Sequence, residues 1–245
     1  MDSRQTVDKI IQHKSYIPFT LIITAVLFAN CNLIDSLKTE KTEDSSDDQD
    51  TNTIVVDVTN PETGRTWMDR NLGASRAANS MTDEEAYGDL YQWGRAADGH
   101  QYSNSATTRE LSNNDQPGHG SFILVSNSPY DWRSPQNNNL WNGVNAVNNP
   151  CPNGYRLPTE AEWEEERQSW SSNNADGAFN STLKLPLAGA RDFGEGSRFA
   201  AGFSGEYWSG TASDSDAKLL FVGDWVAGID SKSRALGFPV RCIKD

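Results

Sequence analysis

The sequence predicts an α+β fold, loop-rich, with few helices around short antiparallel sheets. Three observations predict it. The 245 residues carry 19 Gly, 10 Pro and 8 Trp, a composition of turns and aromatic packing rather than of a helical bundle. One stretch alone, Pro158 to Glu166, carries a full helix-start signal. Many short apolar runs, separated by Gly and Asp clusters, read as strands. Strands with two helices at most make an α+β domain.

The first segment reads as an address. Ile17 to Ala29 is thirteen residues without a charge. A spanning helix needs about 20 apolar residues, so the run is too short to cross a bilayer. It fits the apolar region of a secretory signal, with Lys9 and Lys14 ahead of it. No other run is long enough to discuss as a span, which excludes a polytopic membrane protein. Asp35 to Thr53 holds seven acidic residues and almost nothing apolar. It cannot bury enough surface to offset its ordering entropy and reads as a disordered tether. The formal net charge of -13 argues against a general phosphate-binding surface, so no nucleic-acid partner is expected.

From residue 54 the chain reads as one domain. Ile54 to Val58 is β-branched and strand-like, Thr59 to Gly64 is turn chemistry, and Arg65 to Arg70 returns as the second arm of a hairpin. Asp83 to Ala97 is two-sided. Ala86, Leu90, Trp93 and Ala97 share a helical face, but Gly88 and Gly94 oppose a helix, and a strand over Leu90–Trp93 is the alternative. Residues 98–150 are mostly loop around an apolar island at Phe122–Val125. A loop this long is often functional or disordered. Thr159 and Glu162 then form a T-x-x-E capping box, with Trp163 and Trp170 on one buried face. Leu183–Leu187, Glu206–Ser209, Lys218–Val222 and Phe238–Ile243 are strand candidates.

Three cysteines are present. Cys31 follows the apolar run directly. In an exported protein, Cys151 and Cys242 are expected to pair, the alternative being two free thiols.

Leu27-Phe28-Ala29-Asn30-Cys31 resembles a bacterial lipobox, with Asn30 where Gly, Ala or Ser is usual. It implies acylation of Cys31. The alternative is an ordinary signal peptide with an incidental Cys. The acidic run that follows resembles a surface-export signal of Bacteroidetes-like lipoproteins and implies a cell-envelope address at the outer membrane or surface. Gly154-Tyr155-Arg156-Leu157-Pro158-Thr159-Glu160-Ala161-Glu162-Trp163-Glu164 resembles the hallmark of the sulfatase-modifying-factor family, which includes the formylglycine-generating enzyme. The surrounding pattern is closer to the related Fibrobacter succinogenes major paralogous domain. It consists of Trp67-Met68, Tyr87 to Trp93, Asn149 to Gly154, Tyr207-Trp208-Ser209 and Gly237 to Cys242. Both groups imply a C-type-lectin-like fold, whose ends meet in a sheet and whose first helix region is tied to the last strand by a disulfide. Cys151 and Cys242 match those positions. The resemblance thus divides the chain into a signal peptide over 1–30, a lipidated acidic tether over 31–53 and a C-type-lectin-like domain over 54–245.

Four functional readings follow. The family's oxidases need a thiol pair shortly before the terminal Gly-Phe segment, and Phe221 to Leu236 has none. An enzyme on this scaffold is therefore the alternative reading, and no catalysis is expected. His100 and His119 in one polar loop, with Asp98 or Asp115, form the metal candidate that we weigh and set aside, since a polar histidine is more often only that. The carboxylates of Glu160, Glu162, Glu164, Glu165 and Glu166 would suit glycoside hydrolysis only in a desolvating pocket, and read more simply as a capped, solvated helix face. The binding reading rests on Tyr130, Asp131, Trp132, Arg133 and Trp141 in an Asn-rich loop. Aromatic faces stack on sugars while Asn and Asp bond hydroxyls, although Trp132 and Trp141 would also serve to pin the loop to the core. The calcium motifs of true C-type lectins are missing, and no cofactor is expected, though oxygen ligands suffice for a structural calcium. The expected partners are the membrane, through the lipid, and a carbohydrate or surface protein.

Overall fold

The computed structural model describes residues 53–245. The signal expected over 1–30, the lipid site expected at Cys31 and all of the tether but Thr53 lie outside them. Among the described residues no helix is long and apolar enough to cross a membrane.

A hairpin of β1 (Asp57–Thr59) and β2 (Thr66–Met68) opens the fold. A one-turn 3-10 helix, Glu84–Ala86, precedes β3 (Tyr91–Gln92). The strands β4 (Thr107–Thr108) and β5 (Phe122–Ile123) pair in parallel. Next come β6 (Tyr155–Arg156), the helices α1 (Glu160–Gln168) and α2 (Ala175–Asn180), and the hairpin of β7 (Ala190–Arg191) and β8 (Arg198–Phe199). A meander of β9 (Gly205–Ser213), β10 (Asp216–Val222) and β11 (Ala227–Ser233) follows. The chain then ends in β12 (Gly237–Phe238) and β13 (Ile243–Lys244). Apart from β4 and β5, the named strands pair antiparallel, in sheets of order β1-β2-β13-β6, β11-β10-β9 and β3-β12-β7-β8. The α+β, loop-rich class expected from composition is what the chain forms.

The meander is the centre of the packing. Strand alternation sends its side chains to opposite faces. Tyr207, Leu220, Val222 and Ala227 face Trp67, Trp163 and Leu183 in one cluster. Trp208, Ala217 and Leu219 face Trp93, Trp141 and Phe238 in another. A third cluster of Ile123, Val125, Trp132, Leu140 and Ala235 lies under the long loop.

The capping box forms as expected. Thr159 Oγ1 accepts the Glu162 N–H at 3.2 Å, and Glu162 Oε2 accepts the Thr159 N–H at 2.8 Å. Trp163 is fully buried and its Nε1 donates to the Trp208 carbonyl at 3.1 Å. Trp170 lies past the end of α1 and is only half-buried, so the shared face expected for the two rings holds for the first. Cys151 and Cys242 are disulfide-bonded with Cα atoms 5.9 Å apart. They tie the segment ahead of β6 to the stretch between β12 and β13.

One open reading is decided and one expectation needs correction. Of the two readings of Asp83–Ala97, the strand over Leu90–Trp93 forms, shortened to Tyr91–Gln92, and the helical face does not. Gly88 sits at φ +70° with the Leu72 carbonyl in the space a Cβ would need, and Gly94 sits at φ +83° with Leu140 in that space. A helix tolerates neither, so the segment becomes a 3-10 turn and then β3. Leu183–Leu187 is not a strand. Lys184 takes φ +47°, and the run crosses the core as coil with Leu183, Leu185 and Leu187 buried.

Candidate functional site

Buried arginines hold the irregular chain in place. Arg95, Arg191, Arg234 and Arg241 are all buried. Arg191 donates to the carbonyls of His100, Tyr102, Ser105 and Gly196 and lies 4.2 Å over the Phe122 ring. Arg234 bonds the carbonyls of Asp214 and Asp216 and lies 4.6 Å over Trp93. A guanidinium offers five donors in a fixed fork, so one side chain can satisfy several loop carbonyls at once. This answers where the backbone acceptors of a loop-rich interior find partners.

His100 belongs to the same scaffold and is not free to bind a metal. It is fully buried. Its Nδ1 lies 2.6 Å from Asp98 Oδ1 and its Nε2 accepts the Gln92 N–H at 3.0 Å. Both ring nitrogens are therefore occupied. Burial, with the charge of Arg95, pushes the imidazole down to about 4, so it is neutral with its proton on Nδ1. Asp98 also takes Arg95 Nη2 at 2.6 Å. Burial alone would raise its carboxyl, but His100 and Arg95 hold it at about 2. His119 Nδ1 accepts the Ser121 N–H at 3.2 Å, and Asp115 pairs with Arg133. The four residues weighed as a metal set are thus spread over separate structural bonds. Among the described residues no three His, Cys, Asp or Glu side chains converge.

The acidic helix is likewise engaged. Glu162 accepts from Arg156 at 2.8 and 2.9 Å. Burial acts to raise its carboxyl, and Arg156 and Thr159 outweigh that and bring it to about 2. Glu164 pairs with Arg167 and Glu165 with Arg65. Glu166 is buried and bonded to the Asn60 amide at 2.6 Å and to Trp170 Nε1 at 3.2 Å.

Trp132 and Trp141, expected among the ligand-facing rings, present no face to solvent. They are 0% and 1% exposed. Trp132 Nε1 donates to the Trp93 carbonyl at 2.7 Å, and Trp141 Nε1 to the Asn148 carbonyl at 2.8 Å. Their role is to pin the loop, because a large ring with a single polar handle gains most when wholly buried with that handle satisfied.

Their neighbours in sequence do reach a cavity. A cleft of about 410 Å³ opens between Arg109 and Leu111 on one side and residues 124–136 on the other. Asp131, Arg133 and Gln136 line it with Ser126, Ser128 and Ser134. Asp131 is buried, and its carboxyl is pushed up by that burial. It accepts the Arg133 N–H at 3.0 Å and Gln136 Nε2 at 2.9 Å, with Arg234 3.7 Å away. Arg133 Nε lies 2.8 Å from Asp115 Oδ1 but at an angle that makes no hydrogen bond. Tyr130 is 37% exposed beside the cleft and packs 5.1 Å from the Phe193 ring. Of the five expected ligand residues, Asp131 and Arg133 line the cleft, Tyr130 flanks it, Trp132 lies in the cluster under the loop and Trp141 lies apart, in the cluster with Trp93 and Trp208 and at the floor of a separate hollow beside Asn142 and Arg156.

The most exposed aromatics are ones that sequence reasoning missed. Trp225 is 93% exposed and Phe203 78%. Both lie on turns at one end of the meander. The signal was present for Trp225. Gly223-Asp224 between the runs Lys218–Val222 and Ala227–Ser233 marks a hairpin turn, and a ring at a turn faces water.

Comparison with family models, curated proteins and solved structures finds no match to this chain.

Proposed function

We propose that this chain is an exported, lipid-anchored bacterial envelope protein. Its domain over 54–245 is a C-type-lectin-like fold of the Fibrobacter succinogenes major paralogous type, and it binds or scaffolds without catalysing. The observation that carries the reading is the Cys151–Cys242 bond together with the pairing of β2 and β13. The family resemblance implied both that bridge and the meeting of the chain ends in one sheet. The ionisable groups considered for metal binding or catalysis support a binding role, because they are spent on structure: His100 on Asp98 and Gln92, Glu162 on Arg156, and Glu166 on Asn60.

The cleft beside Tyr130 is the ligand pocket of this reading. Its volume falls in the range of small-molecule sites, roughly 300–1,000 Å³. Hydroxyls from Ser126, Ser128 and Ser134, the Gln136 amide and the Arg133 guanidinium offer directional bonds, while Leu111 and Leu124 supply an apolar wall. That mixture suits the end of an oligosaccharide. The test is a thermal-shift series with oligosaccharide fragments, with calcium and copper as separate arms, since a ligand that binds only the folded state raises Tm. A sugar-dependent rise that disappears in Arg133→Ala supports the reading. A rise with copper alone would turn it toward an oxidase on the sulfatase-modifying-factor scaffold.

A further inference from the structure

We propose a second binding surface, separate from the cleft: Trp225 and Phe203 form a two-ring platform for a neutral polysaccharide chain. The strand register brings the two turns to the same end of the meander. Gly205 of β9 pairs with Val222 of β10, and Val222 pairs with Ala227 of β11. Phe203 stands two residues ahead of Gly205, and Trp225 two residues ahead of Ala227. Two strand spacings, about 10 Å, separate the strand ends that carry the rings.

Both turns are braced. Gly223 N–H closes the hairpin on the Val226 carbonyl at 2.9 Å. The Gly223 carbonyl accepts Ala175 N–H at 2.9 Å, and Ala227 N–H donates to Asn173 at 3.0 Å, which fastens the hairpin to the start of α2. The other turn is closed by Phe203 and Ser204 N–H on the Ala200 carbonyl, at 3.0 and 3.1 Å. It is held to the core by Gly202 N–H on Leu187 at 2.7 Å. Rings on braced turns lose little freedom when a ligand stacks on them. At 93% and 78% exposure, Trp225 and Phe203 leave their ring faces open for a ligand to stack on.

The charge pattern selects the occupant. Across residues 200–204 and 223–226 the one ionisable side chain is Asp224. Next to them the buried Glu206 carboxylate is held by Ser204 Oγ at 3.0 and 3.3 Å. Neither turn carries a Lys or Arg, and the one cation beside them is the exposed Arg198 ahead of Phe199, so the surface has no cluster of cations to hold an anionic glycan or an anionic bilayer. A neutral sugar presents an apolar face to each ring and hydroxyl donors to Asp224. A protein partner usually needs about 800 Å² from each side, and two separated rings with half-exposed Val226 and Phe199 make a narrow track rather than such an interface.

The test is affinity electrophoresis of the full chain in detergent, in native gels cast with mixed-linkage β-glucan, xylan, galactomannan or amylopectin, and with polygalacturonate as the anionic control. The expected result is retardation by at least one neutral polymer and none by polygalacturonate. Trp225→Ala should weaken binding at least tenfold and Phe203→Ala several-fold, with Tm unchanged because both side chains lie in solvent. Arg133→Ala, in the cleft, should leave retardation intact. No retardation in the four neutral gels would overturn the proposal, as would full retardation of the Trp225→Ala, Phe203→Ala double variant. Loss in Arg133→Ala with retention in Trp225→Ala would overturn it in favour of the cleft. Light scattering closes the last route: a dimer that Trp225→Ala dissociates would make the rings a self-interface.

Discussion

His100 Nδ1 lies 2.6 Å from Asp98 Oδ1 in a site closed to water, and the Gln92 N–H fills the opposite ring nitrogen. The fold therefore selects neutral imidazole. With the folded group at about 4 and the unfolded group near 6.5, the unfolded chain binds the extra proton. The stabilisation is complete above pH 6.5 and is lost as pH falls through 4. His100 alone contributes a fall of about 2 kcal/mol from pH 7 to pH 5, partly offset by Asp89, whose carboxyl burial raises to about 6 so that the folded chain takes up its proton in the same window; urea denaturation of the wild type against His100→Asn isolates the histidine's share. His100→Asn should be less stable at pH 7 and should lose most of that slope. An unchanged slope would detach the effect from His100.

The Cys151–Cys242 bond closes a span of 91 residues. Chain entropy alone gives about 4–5 kcal/mol of stabilisation for a loop of that length. The Cys151→Ser, Cys242→Ser double variant should melt lower by roughly 10 °C. Mass mapping without reduction should recover the two cysteines in one linked peptide pair.

Trp132→Ala and Trp141→Ala should each cost about 3–5 kcal/mol, the usual loss for a fully buried ring. Trp225→Ala should stay within about 0.5 kcal/mol, as surface substitutions do. Denaturation midpoints of the three variants, measured side by side, decide this. A mild Trp132→Ala would contradict its place under the loop.

Cys31→Ser should move the protein from the detergent phase to the aqueous phase in phase partitioning, and should abolish incorporation of labelled palmitate. Continued detergent partitioning would refute lipidation.

Local signals were the legible ones. The T-x-x-E box at Thr159 states its own hydrogen bonds, and its helix formed where the sequence placed it. Two of the three meander strands were legible as the short runs Glu206–Ser209 and Lys218–Val222, and the cysteine pair by count, since two cysteines in one exported domain leave a single pairing. What escaped depends on distant partners. Gly88 and Gly94 spoke against a helix in the sequence itself, but the choice between helix and strand is made by Leu72 and Leu140, which crowd them and are not local. Trp132 is buried by a carbonyl 39 residues away. His100 looks like any polar-loop histidine until Asp98 and Gln92 close on it. Trp225 is the exception, since Gly223-Asp224 beside it marks a turn in the sequence and a ring on a turn faces water.

The pairing of β2 with β13 has a consequence beyond stability. The last strand pairs with the second arm of the opening hairpin, and Lys244 Nζ reaches Asp57 Oδ2 of the first arm at 2.6 Å, so the described fold begins and ends at one place on its surface. A unit of that form behaves as a cassette. It can be set at the tip of a stalk, or spliced into a loop of an unrelated host, without the host having to stretch around it.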